Sequence, residues 1–223
     1  MNLCAITLPT YTPVQEKWNY GSHLFGAALA LAGAPFMLAK VIQGGDWLSI
    51  VAVCVYLVSL VLMYLGSAAY HWVAPGSAKR VLRIIDHSTV FFLIMGSYAP
   101  YTLIGLRNPV DGFPWGYLLF GLVWGLCGLG IAFNFLNMER YRVINLIICI
   151  AVGSCIVAAF IPLYHSIGAY GVLTLLASGC FYWVGSMLYA IGKGKNAWLH
   201  TVFHFFVIAA TIVMFLSIYF FVL

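Results

Sequence analysis

Seven apolar stretches, each long enough to cross a bilayer, follow one another with almost nothing between them. They fall at about 19–42, 48–72, 82–106, 115–137, 141–161, 167–191 and 199–222, and a helix needs about 20 apolar residues to span the hydrocarbon. Of 223 residues, 64% are hydrophobic and 7% charged, more apolar side chain than a soluble fold of this size can bury. The chain therefore reads as an all-α, polytopic membrane protein of seven transmembrane helices. A polar leader, residues 1–18, precedes the seven-helix domain at 19–223. The leader lacks a basic start, an apolar core and a small-residue cleavage site, so it does not read as a signal peptide.

The breaks are short and rich in turn formers: Gln43-Gly-Gly-Asp46, Ala74-Pro-Gly-Ser-Ala-Lys79, Asn108-Pro-Val-Asp-Gly112, Pro162 and Gly192-Lys-Gly-Lys195. None can form an aqueous domain, so any chemistry belongs inside the bundle or at its rim. Lys17, Lys79, Arg80, Arg83, Arg140, Arg142, Lys193 and Lys195 lie on one side, and only Lys40 and Arg107 on the other. Positive residues concentrate in cytoplasmic loops, which predicts a cytoplasmic N-terminus and an external C-terminus. Trp18, Trp72, Tyr141, Tyr189 and Trp198 are expected at the inner interface, and Trp47, Trp115 and Tyr170 at the outer one. The charge of +5 is thus an orientation signal and not a nucleic-acid one.

Five of six cysteines (Cys54, Cys127, Cys149, Cys155 and Cys180) sit in apolar runs, Cys4 sits in the leader, and no CxxC occurs; they read as small hydrophobes. Gly121-Leu-Val-Trp-Gly125 with Gly128, and Gly26, Ala30 and Gly33, are small-residue rows expected to let helices approach closely. No internal repeat is evident, which argues against a transporter built from inverted halves.

The polar residues inside the spans are not spread evenly. Ser67 and His71 end span two, Asp86 and His87 begin span three, His200 and His204 begin span seven, and Glu16, Asn19 and His23 open span one. The orientation places all of them in one leaflet, while the other holds only Asp46 and Asp111 in turns and His165 in a loop. Histidine is costly at membrane depth, and residues four apart share a helix face. Zinc suits the inventory: three imidazoles leave a fourth position open to water. Asp86 is placed to orient that water or a ligand histidine, and Ser67 to bond a substrate carbonyl or the water. Other readings stand beside this one: histidines hydrogen-bonded across the bundle, or a haem between His71 and one span-seven histidine. His87 fits a helix-entry role as well as a site role, and Glu16 fits a solvated charge as well as a site residue.

The run Val81-Leu-Arg-Ile-Ile-Asp86-His87-Ser-Thr-Val-Phe-Phe-Leu-Ile-Met-Gly96-Ser97-Tyr98-Ala-Pro100 resembles the third-helix signature of the hemolysin III family. These proteins are bacterial relatives of the progestin and adiponectin receptors. Ser67-x3-His71 after Tyr70, and His200-x3-His204, resemble the superfamily's other two motifs, and Glu16-x2-Asn19-x2-Ser22-His23-x2-Gly26 its first-helix pattern. The resemblance runs from about residue 15 to the end. It implies zinc held by His71, His200 and His204, with Asp86 and Ser67 bordering the open position. It also implies hydrolysis of a lipid amide or ester, in the manner of alkaline ceramidases, and a role in membrane lipid homeostasis at the bacterial inner membrane. Gln15, Ser22 and Thr201 depart from the pattern, where a second glutamate, a threonine and a glutamate are usual. Membrane lipids are the expected partners. A non-catalytic regulator with structural zinc and a pore-forming haemolysin are the rival functions; a pore calls for polarity through the full membrane thickness.

Overall fold

A computed structural model describes residue 3, residues 6–110 and residues 112–223. Cys4 and Asp111 lie outside the described residues. In lipid every backbone polar group must be satisfied within the chain, and helices do this locally. The described residues contain no β-strand, only an isolated bridge between Val110 and Phe113. The helices are α1 (Pro13–Gln43), α2 (Trp47–Trp72), α3 (Ser77–Pro100), α4 (Trp115–Asn137), α5 (Arg142–Ser154), α6 (Phe160–Gly192) and α7 (Trp198–Ser217). π-Helical turns, Tyr101–Gly105 and Ile218–Val222, extend α3 and α7, and a 3-10 segment, Cys155–Ala159, joins α5 to α6.

Among the described residues, six helical stretches are long and apolar enough to cross a membrane. The chain is a polytopic all-α membrane protein. The fifth boundary expected from sequence, at Pro162, is not there. Arg142–Gly192 counts as one stretch of 51 residues, which as a straight helix would be about 76 Å long, over twice the ~30 Å hydrocarbon thickness. Pro162 is buried inside α6. Its missing N–H falls on the carbonyl of Ala158, where the chain has tightened into the 3-10 turn instead of ending. The true irregularity is Gly168, at φ 70°, ψ 176°, a backbone region open to glycine. Before it, Ser166 donates to the Gly105 carbonyl at the end of α3. After it, Gly171 abuts Phe221, Gly185 abuts Phe206 and Gly192 abuts Leu199, so this part runs antiparallel to α7.

Two further expectations change. α1 begins at Pro13, not 19, because Thr12 and Gln15 form a reciprocal capping box: Gln15 N–H donates to Thr12 Oγ1 and Thr12 N–H to Gln15 Oε1. Gln15, off-pattern for the resembled family, is committed to this cap. The small-residue row on α4 does not mediate close packing, since a Cβ added at Gly121, Gly125 or Gly128 meets nothing within 4 Å. The spacing identifies a face but not what the face meets. Close approach occurs at Gly116, where a Cβ would lie 2.2 Å from the Thr102 carbonyl oxygen, and at Gly130, against the Phe91 ring. On α1 the expected row does pack, Gly26 against Tyr64 and Gly33 against Phe215.

The core collects α1, α2, α3, α6 and α7 around Tyr56, Tyr64, Leu93 and Val207. Buried ionisable groups cluster at one end, as expected, but buried hydroxyls extend farther. Tyr64 meets Thr211, and Tyr101 donates to Ser217, itself joined by Thr174, toward the opposite end.

Candidate metal centre

α2 and α7 each bring their four-residue repeat to the same end of the bundle. His71 closes α2, where it and Ser67 are buried. His200 and His204 sit one turn apart at the start of α7, with His204 buried. The Nε2 atom of His200 lies 3.1 Å from that of His71 and 3.1 Å from that of His204. The three side chains can converge on one metal ion.

The outer nitrogens decide which way the lone pairs face. His71 Nδ1 is 2.6 Å from Glu16 Oε2, so it donates to the carboxylate and leaves Nε2 a bare acceptor. His204 Nδ1 is 3.1 Å from the Asn19 carbonyl oxygen, with the same consequence. Two of the three Nε2 atoms thus point unprotonated lone pairs at a common centre, an arrangement that neutral histidines bonding only to one another do not need. His200 Nδ1 is buried without a partner among the described residues. Carboxylates and carbonyls fix metal-binding imidazoles in this manner.

Glu16 is therefore no solvated charge. Its second oxygen accepts from Lys79 Nζ at 2.7 Å, and Lys79 also donates to the Val73 carbonyl at 2.9 Å. Asn19 ties the helices together: its side-chain oxygen accepts from Thr201 Oγ1 at 2.6 Å, and its carbonyl also accepts from Ser22 Oγ at 2.9 Å. Ser22 and Thr201, both departures from the resembled pattern, thus hold the residue that orients His204.

The remaining expected site residues fall around this centre. Asp86 is half-buried on α3, and no hydrogen bond or ion pair to its carboxylate occurs among the described residues. It does not orient a histidine; Glu16 does. Ser67 is buried one turn before His71 and likewise makes no hydrogen bond among the described residues. His23 stacks on His204 with centroids 3.7 Å apart and meets Tyr64 edge-on, both its nitrogens unpartnered among the described residues. His87 makes no polar contact with the three histidines. The Nε2 atoms of His71 and His200 approach within 3.1 Å, too close to bracket a haem between those two rings.

Tyrosines that sequence reasoning passed over cover the cluster. Tyr70 packs on His71 and Tyr189 on His200. Tyr11 stacks on His200 at 5.3 Å and meets His71 edge-on at 5.5 Å. Burial, then Tyr70, Tyr189, Asp86 and Glu16, push its hydroxyl pKa up, so it stays neutral. The strap carrying it is pinned: Thr7 donates to Glu139 at 2.8 Å, Arg83 pairs with Glu139 at 2.9 Å and donates to the Thr7 carbonyl, and Ile6 packs on Ile84 and Met138. No periodic signal marks a single tyrosine in a polar leader.

Residues 11–215 match the family described as "Haemolysin-III related". The chain belongs to the haemolysin-III family. It is 31% identical over 209 residues to Hemolysin-3 of Bacillus cereus, covering 94% of this chain and 92% of that protein. It is 30% identical over 211 residues to a Hemolysin-3 homolog of Bacillus subtilis (strain 168), covering 95% and 96%. The family match opens at Tyr11 and takes in the whole histidine cluster.

Proposed function

We propose that this haemolysin-III protein is a zinc-dependent hydrolase of a lipid amide or ester, acting in membrane lipid homeostasis from the bacterial cytoplasmic membrane. The observation that carries the reading is the convergence of three Nε2 atoms with two outer nitrogens tied to Glu16 and Asn19. Zinc–nitrogen bonds of 2.0–2.1 Å in a tetrahedron put the nitrogens about 3.4 Å apart, close to the spacings seen. Zinc held there would supply a Lewis acid and a lowered pKa for coordinated water at the fourth position. The chain's own groups supply the rest. Glu16 and Asn19 hold the rings of His71 and His204 in one tautomer. Asp86, uncommitted to any other side chain, takes and returns the proton, and Ser67, also uncommitted, donates to the scissile carbonyl. Lipid enters sideways from the bilayer, because the connecting loops are too short to enclose a substrate.

The same reading takes the chain across the membrane seven times, with the N-terminus cytoplasmic. Support comes from the length of Arg142–Gly192, its reversal at Gly168 and the eight-to-two distribution of Lys and Arg. A reporter fused after Leu223 should be active only if it works outside the cytoplasm; the opposite pattern would overturn the orientation. The hydrolase is tested with zinc-loaded protein and lipid amides and esters. Asp86→Asn should keep zinc and lose most turnover, Ser67→Ala should lose less, and full activity of Asp86→Asn would exclude this mechanism.

One observation favours a second reading. Tyr11 lies over His71 and His200 on a pinned strap, as suits a closed structural site. A regulator in which zinc ties α2 to α7 would be stabilised by zinc and turn over no lipid.

A further inference from the structure

α1 and α7 are bonded at their first turns through Asn19 and Thr201, and part on the exposed side of that contact. Between them lies a groove of about 450 Å³, walled by Trp18, Phe25 and Phe205, each about half exposed, with Lys17 at its rim. The volume falls in the range of about 300–1,000 Å³ typical of small-molecule sites. Gly21 leaves the wall open: a Cβ added there meets nothing within 4 Å. Ser22 is the polar element of the lining, 6% exposed, its hydroxyl 3.2 Å from His204 Nδ1. The groove therefore ends on the outer side of His204, away from the Nε2 atoms, and is not the route to the metal centre.

Charge and depth identify the occupant. Glu16 is spent on Lys79 and His71, whereas the neighbouring Lys17 is exposed and joins none of the ion pairs among the described residues. This end of the bundle carries eight of the ten Lys and Arg residues. Along α1 the rise from Lys17 to Ser22 is about 7.5 Å and to Phe25 about 12 Å. A cation at headgroup level with aromatic walls beside and below it follows the order of phosphate and acyl chain in an anionic phospholipid. We propose that the groove binds one anionic phospholipid, its phosphate at Lys17 and an acyl chain along Trp18, Phe25 and Phe205. This site stands independently of metal loading and of hydrolysis.

The test uses the full chain in vesicles of equal phosphatidylglycerol and phosphatidylcholine, with retained lipids counted by native mass spectrometry. Wild type should retain one phosphatidylglycerol, preferred about fivefold over phosphatidylcholine, which is what one lysine at an anionic surface provides. Lys17→Gln should keep a lipid and lose the preference. Gly21→Leu, whose Cβ meets nothing within 4 Å and whose side chain occupies the groove, should lose the lipid while melting temperature and helix content hold. Brominated phosphatidylglycerol should quench the fluorescence that Trp18 contributes, measured against Trp18→Phe, and Gly21→Leu should abolish that quenching. The proposal fails if Gly21→Leu retains the lipid, if Lys17→Gln retains the preference, or if wild type carries a second copy of the chain on this face in place of lipid.

Discussion

The histidine end and the far end of the bundle both contain ion pairs, but at different depths. At the histidine end Glu16 is 20% exposed and joins Lys79 at 3% and His71 at 0%; at the far end Asp46 and Arg107 are 31% and 39% exposed. The far-end pair caps α2, where the Ser49 hydroxyl first and Arg107 second hold the Asp46 pKa down to about 2. Water screens such a pair, and it does little more than finish a helix. Glu16 and Lys79 are removed from water, so each needs its partner, and the geometry they enforce is rigid. The same chemical pairing serves as a cap in one place and as a means of orienting a histidine of the candidate metal centre in the other.

That contrast can be broken most severely at the ligands. Alanine at His71, His200 or His204 should abolish zinc binding, taking metal content from one per chain to near none. The melting-temperature gain from zinc should vanish with it, since a site at about a thousandfold its Kd stabilises by about 4 kcal/mol. Unchanged zinc in all three variants would remove the basis of the metal centre.

Glu16→Gln and Asp46→Asn sharpen the comparison directly. The first should weaken zinc affinity by about 10- to 100-fold, as loss of a partner behind a ligand histidine does. The second should leave affinity unchanged in the same titration. Equal effects from the two would mean that burial is not what separates the ends.

Tyr11→Ala should leave affinity nearly intact and speed removal of the metal by a chelator several-fold, because the ring covers two ligands while touching neither lone pair. An unchanged stripping rate would show that the strap is no barrier.

The smallest effect concerns acid. Burial opposes ionisation of Glu139, but hydrogen bonds from Thr7 and the charge of Arg83 outweigh it and hold the pKa below the usual carboxylate value. A depressed folded pKa contributes stability above the unfolded value of about 4.3, and that stability is lost as pH falls through the folded value. The strap should accordingly become susceptible to an acid-active protease at residues 6–12 only below about pH 4, and Glu139→Gln should show the same susceptibility at neutral pH. Cleavage of wild type independent of pH would contradict this.

Spacing along the chain determined a good deal. His200 and His204 share a face because they are four apart, Ser67 lies one turn behind His71 for the same reason, and apolar length placed both pairs at one end. These follow from local geometry, which a helix imposes whatever surrounds it. Which carboxylate serves the histidines was not legible: Asp86 and Glu16 lie at equal depth, and only the rotation of α1 against α2 brings Glu16 to His71. Gly121 and Gly125 carry the pattern of a packing face that meets nothing, while Gly116 and Gly130 make the contacts, because spacing does not say where a neighbouring helix lies. Pro162 has the chemistry of a break and Gly168 makes it, since the bundle accommodates a missing N–H with a 3-10 turn, whereas a positive φ is open to glycine. Tyr11 had no pattern at all. It reaches the centre through Arg83 and Glu139, residues distant in sequence, and contacts of that kind exist only once the helices have packed.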